Sequence, residues 1–126
     1  MERKILVVDD EVVIREMLNK AFTKMGYKVV LAASAEEALE ILQPDTQVMF
    51  LDLKLPGMDG IELCRRIRQI HPVACIFAIT GYASLFELSD CREAGFDDYF
   101  TKPVKLEMLF IAAQTAFEKI ERWKKK

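Results

Sequence analysis

The sequence predicts an α/β fold, a doubly wound five-stranded parallel sheet of order 2-1-3-4-5 in a (βα)5 arrangement. Three observations predict it. Short apolar runs alternate five times with segments of helical periodicity. The runs at 4–8, 48–51 and 75–79 are apolar nearly throughout, as in strands buried on both faces. The chain has 126 residues, 52% hydrophobic and 30% charged, with no low-complexity linker or repeat. A chain of that size buries roughly two-thirds of its unfolded surface, enough for one real core. The expected organisation is one domain over 1–126, with its core at about 4–122 and a basic tail at 123–126.

Each element carries its own signals. Lys4 to Val8 is a short β-branched run ending in Asp9-Asp10. Residues 11–25 carry Ile14, Leu18, Ala21 and Met25 on one helical stripe, and Gly26 ends it. Lys28 to Ala32 reads as the second strand. Ser34 to Glu37 forms a capping box for a short helix with Ala38 and Leu42 inward, stopped by Pro44. The third strand, Val48 to Leu51, ends at Asp52. Pro56-Gly57 and Asp59-Gly60 mark a loop, and a helix with Leu63, Ile67 and Ile70 follows until His71-Pro72. Cys75 to Ile79 is the fourth strand, followed by Thr80-Gly81. A second capping box, Ser84 to Glu87, opens a helix that Gly95 closes. A short fifth strand lies near Asp98 to Thr101. The last helix, about 105–122, places Leu109, Ala113, Ala116 and Ile120 inward, with Trp123 continuing the stripe.

Composition excludes several classes. No apolar run approaches the ~20 residues of a membrane span, and four apolar residues before Asp9 are too few for a signal peptide. A net charge of −2 gives no electrostatic case for nucleic acid. Cys64, Cys75 and Cys91 form no CxxC pair and no Cys/His cluster, which argues for free core thiols in a cytoplasmic protein rather than zinc or disulfides. His71, before Pro72, sits where a helix dipole favours its partial charge and shows no catalytic pairing.

In this topology a ligand binds beyond the carboxyl ends of the strands, at the switch between strands one and three. Strand one ends in Asp9-Asp10, strand three in Asp52, strand four in Thr80 and strand five in Lys102. Carboxylates converging there repel; at ~4 Å and an effective dielectric of ~20, each pair costs on the order of 4 kcal/mol. A cation is therefore expected, and hard oxygen donors select Mg²⁺. Lys102 and Thr80 are suited to phosphoryl oxygens, so the set reads as a phosphoryl-handling site. Taken singly, Asp10 reads as a helix N-cap, Asp52 as a turn cap, and Thr80 and Lys102 as loop residues. Their coincidence on one sheet edge is what favours the functional reading.

Asp9-Asp10, Asp52 with Pro56-Gly57, Thr80-Gly81 and Lys102-Pro103 closely resemble the receiver domain of bacterial two-component response regulators, over essentially the whole chain from Ile5 to Ile120. The resemblance implies a flavodoxin-like sheet and a phosphoryl group passed from a sensor histidine kinase or a histidine phosphotransfer protein to Asp52. It implies Mg²⁺ held by Asp10, Asp52 and the backbone carbonyl of Lys54, with Asp9 acting through a water. It further implies phosphoryl contacts from Thr80 and Lys102, a cis Lys102-Pro103 peptide, and Tyr99 as the aromatic that rotates when Thr80 moves. The output face would be that of helix four, strand five and helix five. Such a domain catalyses only its own phosphoryl transfer and loss. Gly81 stands where many receivers carry Ala. Lys54 and Tyr82, two positions after Asp52 and Thr80, flank the hydrolytic water's path in this family and imply slow self-dephosphorylation.

Met108 and Ile111 lie off the core stripe of the last helix and hint at a partner or homodimer contact. An FMN carrier would need a Ser/Thr/Gly-rich phosphate loop where this chain has Asp9-Asp10-Glu11. A haloacid-dehalogenase-like phosphatase would need an acid at Lys54. A binding module indifferent to phosphorylation would not need the full acidic cluster with Lys102. No DNA-binding motif follows the last helix, and the output partner is open. Residues 118–126 hold five bases and two acids, net +3, leaving −5 for residues 1–117.

Overall fold

The computed structural model describes residues 2–81 and 84–124. Five parallel strands, β1 (Lys4–Val8), β2 (Lys28–Ala32), β3 (Val48–Asp52), β4 (Cys75–Thr80) and β5 (Asp98–Thr101), pair in the order β2-β1-β3-β4-β5. The intervening helices are α1 (Val12–Lys24), α2 (Ala35–Ile41), α3 (Gly60–Ile70), α4 (Leu85–Ala94) and α5 (Leu106–Lys124). The expected fold class is the observed one.

Strand alternation divides the core into two layers. Ile5, Val7, Val48 and Phe50 face Leu18 and Phe22 of α1 and Leu109 and Ala113 of α5. Leu6, Val8, Met49 and Leu51 face Leu63, Cys64 and Ile67 of α3 together with α2 and α4. The three central strands are buried on both faces, which explains their unbroken apolar runs. Phe22, Phe50 and Phe77 stack in series within the α1/α5 layer, with ring centroids 5.2 and 5.0 Å apart.

The helix faces differ from expectation in three places. α1 stops at Lys24, and Gly26 takes the left-handed conformation (φ 91°), so Met25 is an exposed C-cap. Phe22, four residues after Leu18, fills the position assigned to Met25. Ile70, the last residue of α3, is exposed, and Trp123 is likewise exposed beyond the buried Ile120. The Ser84 capping box is complete, but at Ser34 only half forms, because Glu37 accepts from the backbone N–H of Ala33 instead of Ser34. Asp59-Gly60 is a helix start rather than loop: Asp59 accepts from the Glu62 N–H and Gly60 is the first residue of α3.

The three cysteines are free and buried, and burial pushes the Cys64 thiol up to about 12. His71 is buried too. Burial lowers its pKa, which works against the charge that the helix dipole at this C-cap favours. No helix among the described residues is long and apolar enough to cross a membrane.

Candidate functional site

All five strands end on one edge of the sheet, and the register fixes what meets there. Val8 pairs with Leu51, so Asp9 follows opposite Asp52, and Asp52 pairs with Ile79, one residue before Thr80. Thr80 pairs with Thr101, and its carbonyl accepts from the N–H of Lys102 at 2.8 Å. The parallel sheet thus gathers Asp9, Asp10, Asp52, Thr80 and Lys102, as the sequence predicts.

Asp9 and Asp52 are 1% and 3% exposed, Thr80 is fully buried, and Asp10 is open to solvent. Asp10 caps nothing. The N-cap of α1 is Glu11, with no side-chain cap bond, and it is Asp9 Oδ1 that accepts from the Glu11 N–H at 2.8 Å. Asp52 Oδ1 accepts from the Lys54 N–H at 3.1 Å, the turn-capping bond expected of it. Each carboxylate therefore spends one oxygen on the backbone and turns the other toward Lys102.

Lys102 Nζ lies 3.2 Å from Asp9 Oδ2, 3.3 Å from Asp52 Oδ2 and 2.5 Å from Glu11 Oε2. Burial raises the carboxyl pKa of both Asp9 and Asp52, with the backbone bonds and Lys102 offsetting it only in part. Burial works against the Lys102 charge, but Glu11, Asp52 and Asp9 outweigh it and hold the ammonium well above its ordinary pKa. One ammonium thus faces more negative charge than it neutralises.

That excess is where a metal fits. One oxygen from each of Asp9, Asp10 and Asp52 lies within 4.8 Å of the others. Asp9 Oδ2 is buried and makes no hydrogen bond, the Lys102 ammonium standing near it as a charge only. An oxygen-only donor set with an orphaned carboxylate oxygen suits a hard divalent cation such as Mg²⁺.

The outer residues are placed less uniformly. The Lys54 side chain turns away from Asp52 into an ion pair with Glu87, the capping-box residue of α4, which lowers the Glu87 pKa. Tyr99 sits on edge strand β5 at 44% exposure, paired with Ala78. Lys102-Pro103 is cis. Tyr82 lies outside the described residues.

Three contributors are missing from the sequence reading. Glu11 shares Lys102 with the aspartates, and Arg15 donates to the Asp9 carbonyl at 2.8 Å. Gly60 is the third: a Cβ there would stand 2.1 Å from the Asp52 carbonyl oxygen. The Asp-Gly pair before an apolar helix was the available signal, and it reads as cap plus close approach rather than loop. Gly60→Ala must push α3 off the Asp52–Leu53 peptide, with an expected cost of about 1–3 kcal/mol. Urea denaturation checks it, and a cost indistinguishable from zero would contradict the close approach.

Comparison with known proteins follows the same lines. A family profile described as the response regulator receiver domain matches residues 5–114. The chain belongs to the response-regulator receiver family. This receiver is 38% identical over 110 residues to sporulation initiation phosphotransferase F of Bacillus subtilis, covering 85% of this chain and 87% of that protein. It is also 38% identical to response regulator MprA of Mycolicibacterium vanbaalenii, covering 86% of this chain but only 48% of the relative, so it spans about half the length of such proteins. Among solved structures, the CheY-like receiver domain protein of Methanospirillum hungatei superposes with a TM-score of 0.92 at 31% identity, covering 97% of this receiver and 98% of that chain. The receiver is thus a part of two-component phosphorelay signalling, in which such domains bind Mg²⁺ at the acidic pocket, work with histidine kinases or phosphotransfer proteins, and are generally not enzymes in their own right.

Proposed function

We propose that Asp52 is the phosphoacceptor of this receiver, taking a phosphoryl group from the phosphohistidine of a sensor histidine kinase or a histidine phosphotransfer protein. The P–N bond of the donor breaks, a P–O bond to the Asp52 carboxylate forms, and the released imidazole takes up a proton. One observation carries the reading: a nearly buried carboxylate whose second oxygen accepts from a lysine ammonium at 3.3 Å beside two further carboxylates. Asp10, Asp52 and the Lys54 carbonyl would hold Mg²⁺, with Asp9 acting through a water. When bound, the ion neutralises the carboxylates and polarises the phosphoryl oxygens. Lys102 leaves Glu11 and Asp9 to pair with a phosphoryl oxygen, and Thr80 donates its hydroxyl to another.

Switching follows from the same placement. Thr80 moves toward the acyl phosphate, and the outward Tyr99 rotates into the space it leaves, reshaping the α4-β5-α5 face. Exposed Met108 and Ile111 on that face supply the contact for an output partner or a second copy. The whole of 1–126 acts as one such unit, with its basic end beyond the switch. No direct nucleic-acid or membrane contact belongs to it, and its place is the cytoplasm, where kinase and phosphotransfer domains meet it.

Loss of the phosphoryl group is expected to be slow. Hydrolysis needs a water in line with the P–O bond, and Lys54 and Tyr82, two positions after Asp52 and Thr80, hold the places that flank that water's path in this family. The isolated phosphoprotein should have a half-life of minutes or longer by loss of radiolabel, shortened by Lys54→Ala; a half-life of seconds would contradict it. Phosphotransfer profiling against autophosphorylated histidine kinases tests the function itself. A cognate kinase should label the wild type within its first turnovers and leave Asp52→Asn unlabelled, whereas no transfer from any kinase would count against the reading.

A further inference from the structure

The end of the sheet opposite Asp52 carries a feature that phosphoryl chemistry does not use. β4 begins there at Cys75, and the last turns of α5 pass beside it. Between them lies a cleft of about 670 Å³ walled by Val73, Ala74, Ile120 and Trp123, within the roughly 300–1,000 Å³ of ligand-binding clefts. Val73 and Trp123 are 71% and 67% exposed, large apolar side chains left in water at one place. The cleft shares Cys75, Asp97 and Lys119 with a second one of about 320 Å³ that runs beneath Met108 and Ile111. Together they form an apolar groove beside α5 from Met108 to Trp123, roughly 22 Å at 1.5 Å per residue.

Charge selects the occupant. Arg68 is consumed locally: it pairs with Asp97 at 2.9 Å and donates to the carbonyls of Gly95, Pro72 and Ala74. Lys119 and Lys124 line the same cleft and form no ion pair with any described residue, so the basal end is cationic. Asp98 lies only at the upper end, where its carboxylate accepts from the Tyr99 N–H. A two-fold contact between copies through the basal cleft would bring Lys119 and Lys124 of both chains into one patch, which like-charge repulsion opposes.

We infer that this groove docks an acidic amphipathic helical segment of a partner protein. Its apolar face lies along α5 with one large side chain against Val73 and Trp123, and its carboxylates pair with Lys119 and Lys124. The surface extends the proposed output face downward but does not depend on phosphorylation of Asp52.

Selection of a random peptide library on the full chain tests it, with Val73→Asp/Lys119→Glu as the comparison protein. Circular dichroism and Asp52 labelling should show that this variant is folded. The recovered peptides should combine Asp or Glu with Leu, Phe or Trp and bind the wild type at least about tenfold more tightly than the variant. They should also shift the emission of Trp123, the one tryptophan of the chain. Asp52→Asn should select the same peptides, so a failure of phosphorylation leaves this result standing. Neutral or basic peptides, equal binding to both proteins, or an unmoved Trp123 emission would overturn the proposal. So would a Trp123-dependent doubling of mass in light scattering, or capture by anionic vesicles in place of peptides.

Discussion

Lys102→Met is expected to abolish phosphoryl acceptance and to cost the metal-free protein on the order of 3 kcal/mol at pH 7. Among the described residues, Lys102 is the only cation in an ion pair with Asp9 or Asp52, and both carboxylates are nearly buried. Removing it leaves two adjacent negative charges with backbone N–H donors alone for compensation. Methionine keeps the stem's packing, so the loss measures charge rather than a cavity. The variant should regain stability on acidification, as the carboxylates take up protons, and Mg²⁺ should stabilise it more than it stabilises the wild type. Urea denaturation with and without Mg²⁺ checks this. A variant as stable as wild type without metal would mean that Lys102 does not neutralise the pocket.

The second large effect belongs to the metal. Burial of Asp9 and Asp52 raises their pKa values in the folded protein above the ordinary 3.8. Between that value and the raised ones, the native state binds more protons than the unfolded chain, so their contribution to stability falls as pH rises. Above the raised values their ionisation is a net cost to the folded state, which a divalent cation relieves. Mg²⁺ at about one hundred times its dissociation constant should stabilise the protein by about 2.7 kcal/mol, roughly 10 °C in Tm. The increment should disappear as pH falls through the raised pKa values, because protonated carboxylates do not bind the ion. Exposed carboxylates held low, such as Glu36 and Glu62, pull the absolute curve the other way. The quantity to follow is therefore the difference between wild type and Asp9→Asn, measured across pH by thermal unfolding. A Mg²⁺ increment of the same size in both proteins would place the ion elsewhere.

What the sequence made legible follows from geometry. A parallel sheet carries all carboxyl strand ends to one edge, so naming the residues after Val8, Leu51, Ile79 and Thr101 already named Asp9, Asp52, Thr80 and Lys102. Unbroken apolar runs identified the central strands because burial on both faces removes the need for alternation. Helix faces were legible only within helices. Met25 and Ile70 obey the period but stand at the C-terminal ends of α1 and α3, one as the C-cap and one as the last helical residue, and periodicity contains no information about where a helix stops being covered.

Contacts between segments distant in sequence were not legible. Glu11 reaches Lys102 across 91 positions, and Lys54 meets Glu87 across 33. Gly60 matters because of the Asp52 carbonyl beneath it, which no local pattern reports. The basal groove is assembled from the ends of α3 and α5 and the starts of β4 and β5, each unremarkable alone.

The central claim is that Asp52 forms an acyl phosphate, and chemical capture tests it most directly. The protein would be incubated with acetyl phosphate and Mg²⁺, reduced with borohydride, and mapped by peptide mass spectrometry. One phosphoryl group per chain is predicted, found as homoserine at position 52, absent without Mg²⁺ and absent in Asp52→Asn. Incorporation that persists in Asp52→Asn, or that maps to a hydroxyl or imidazole such as Thr80 or His71, would contradict it.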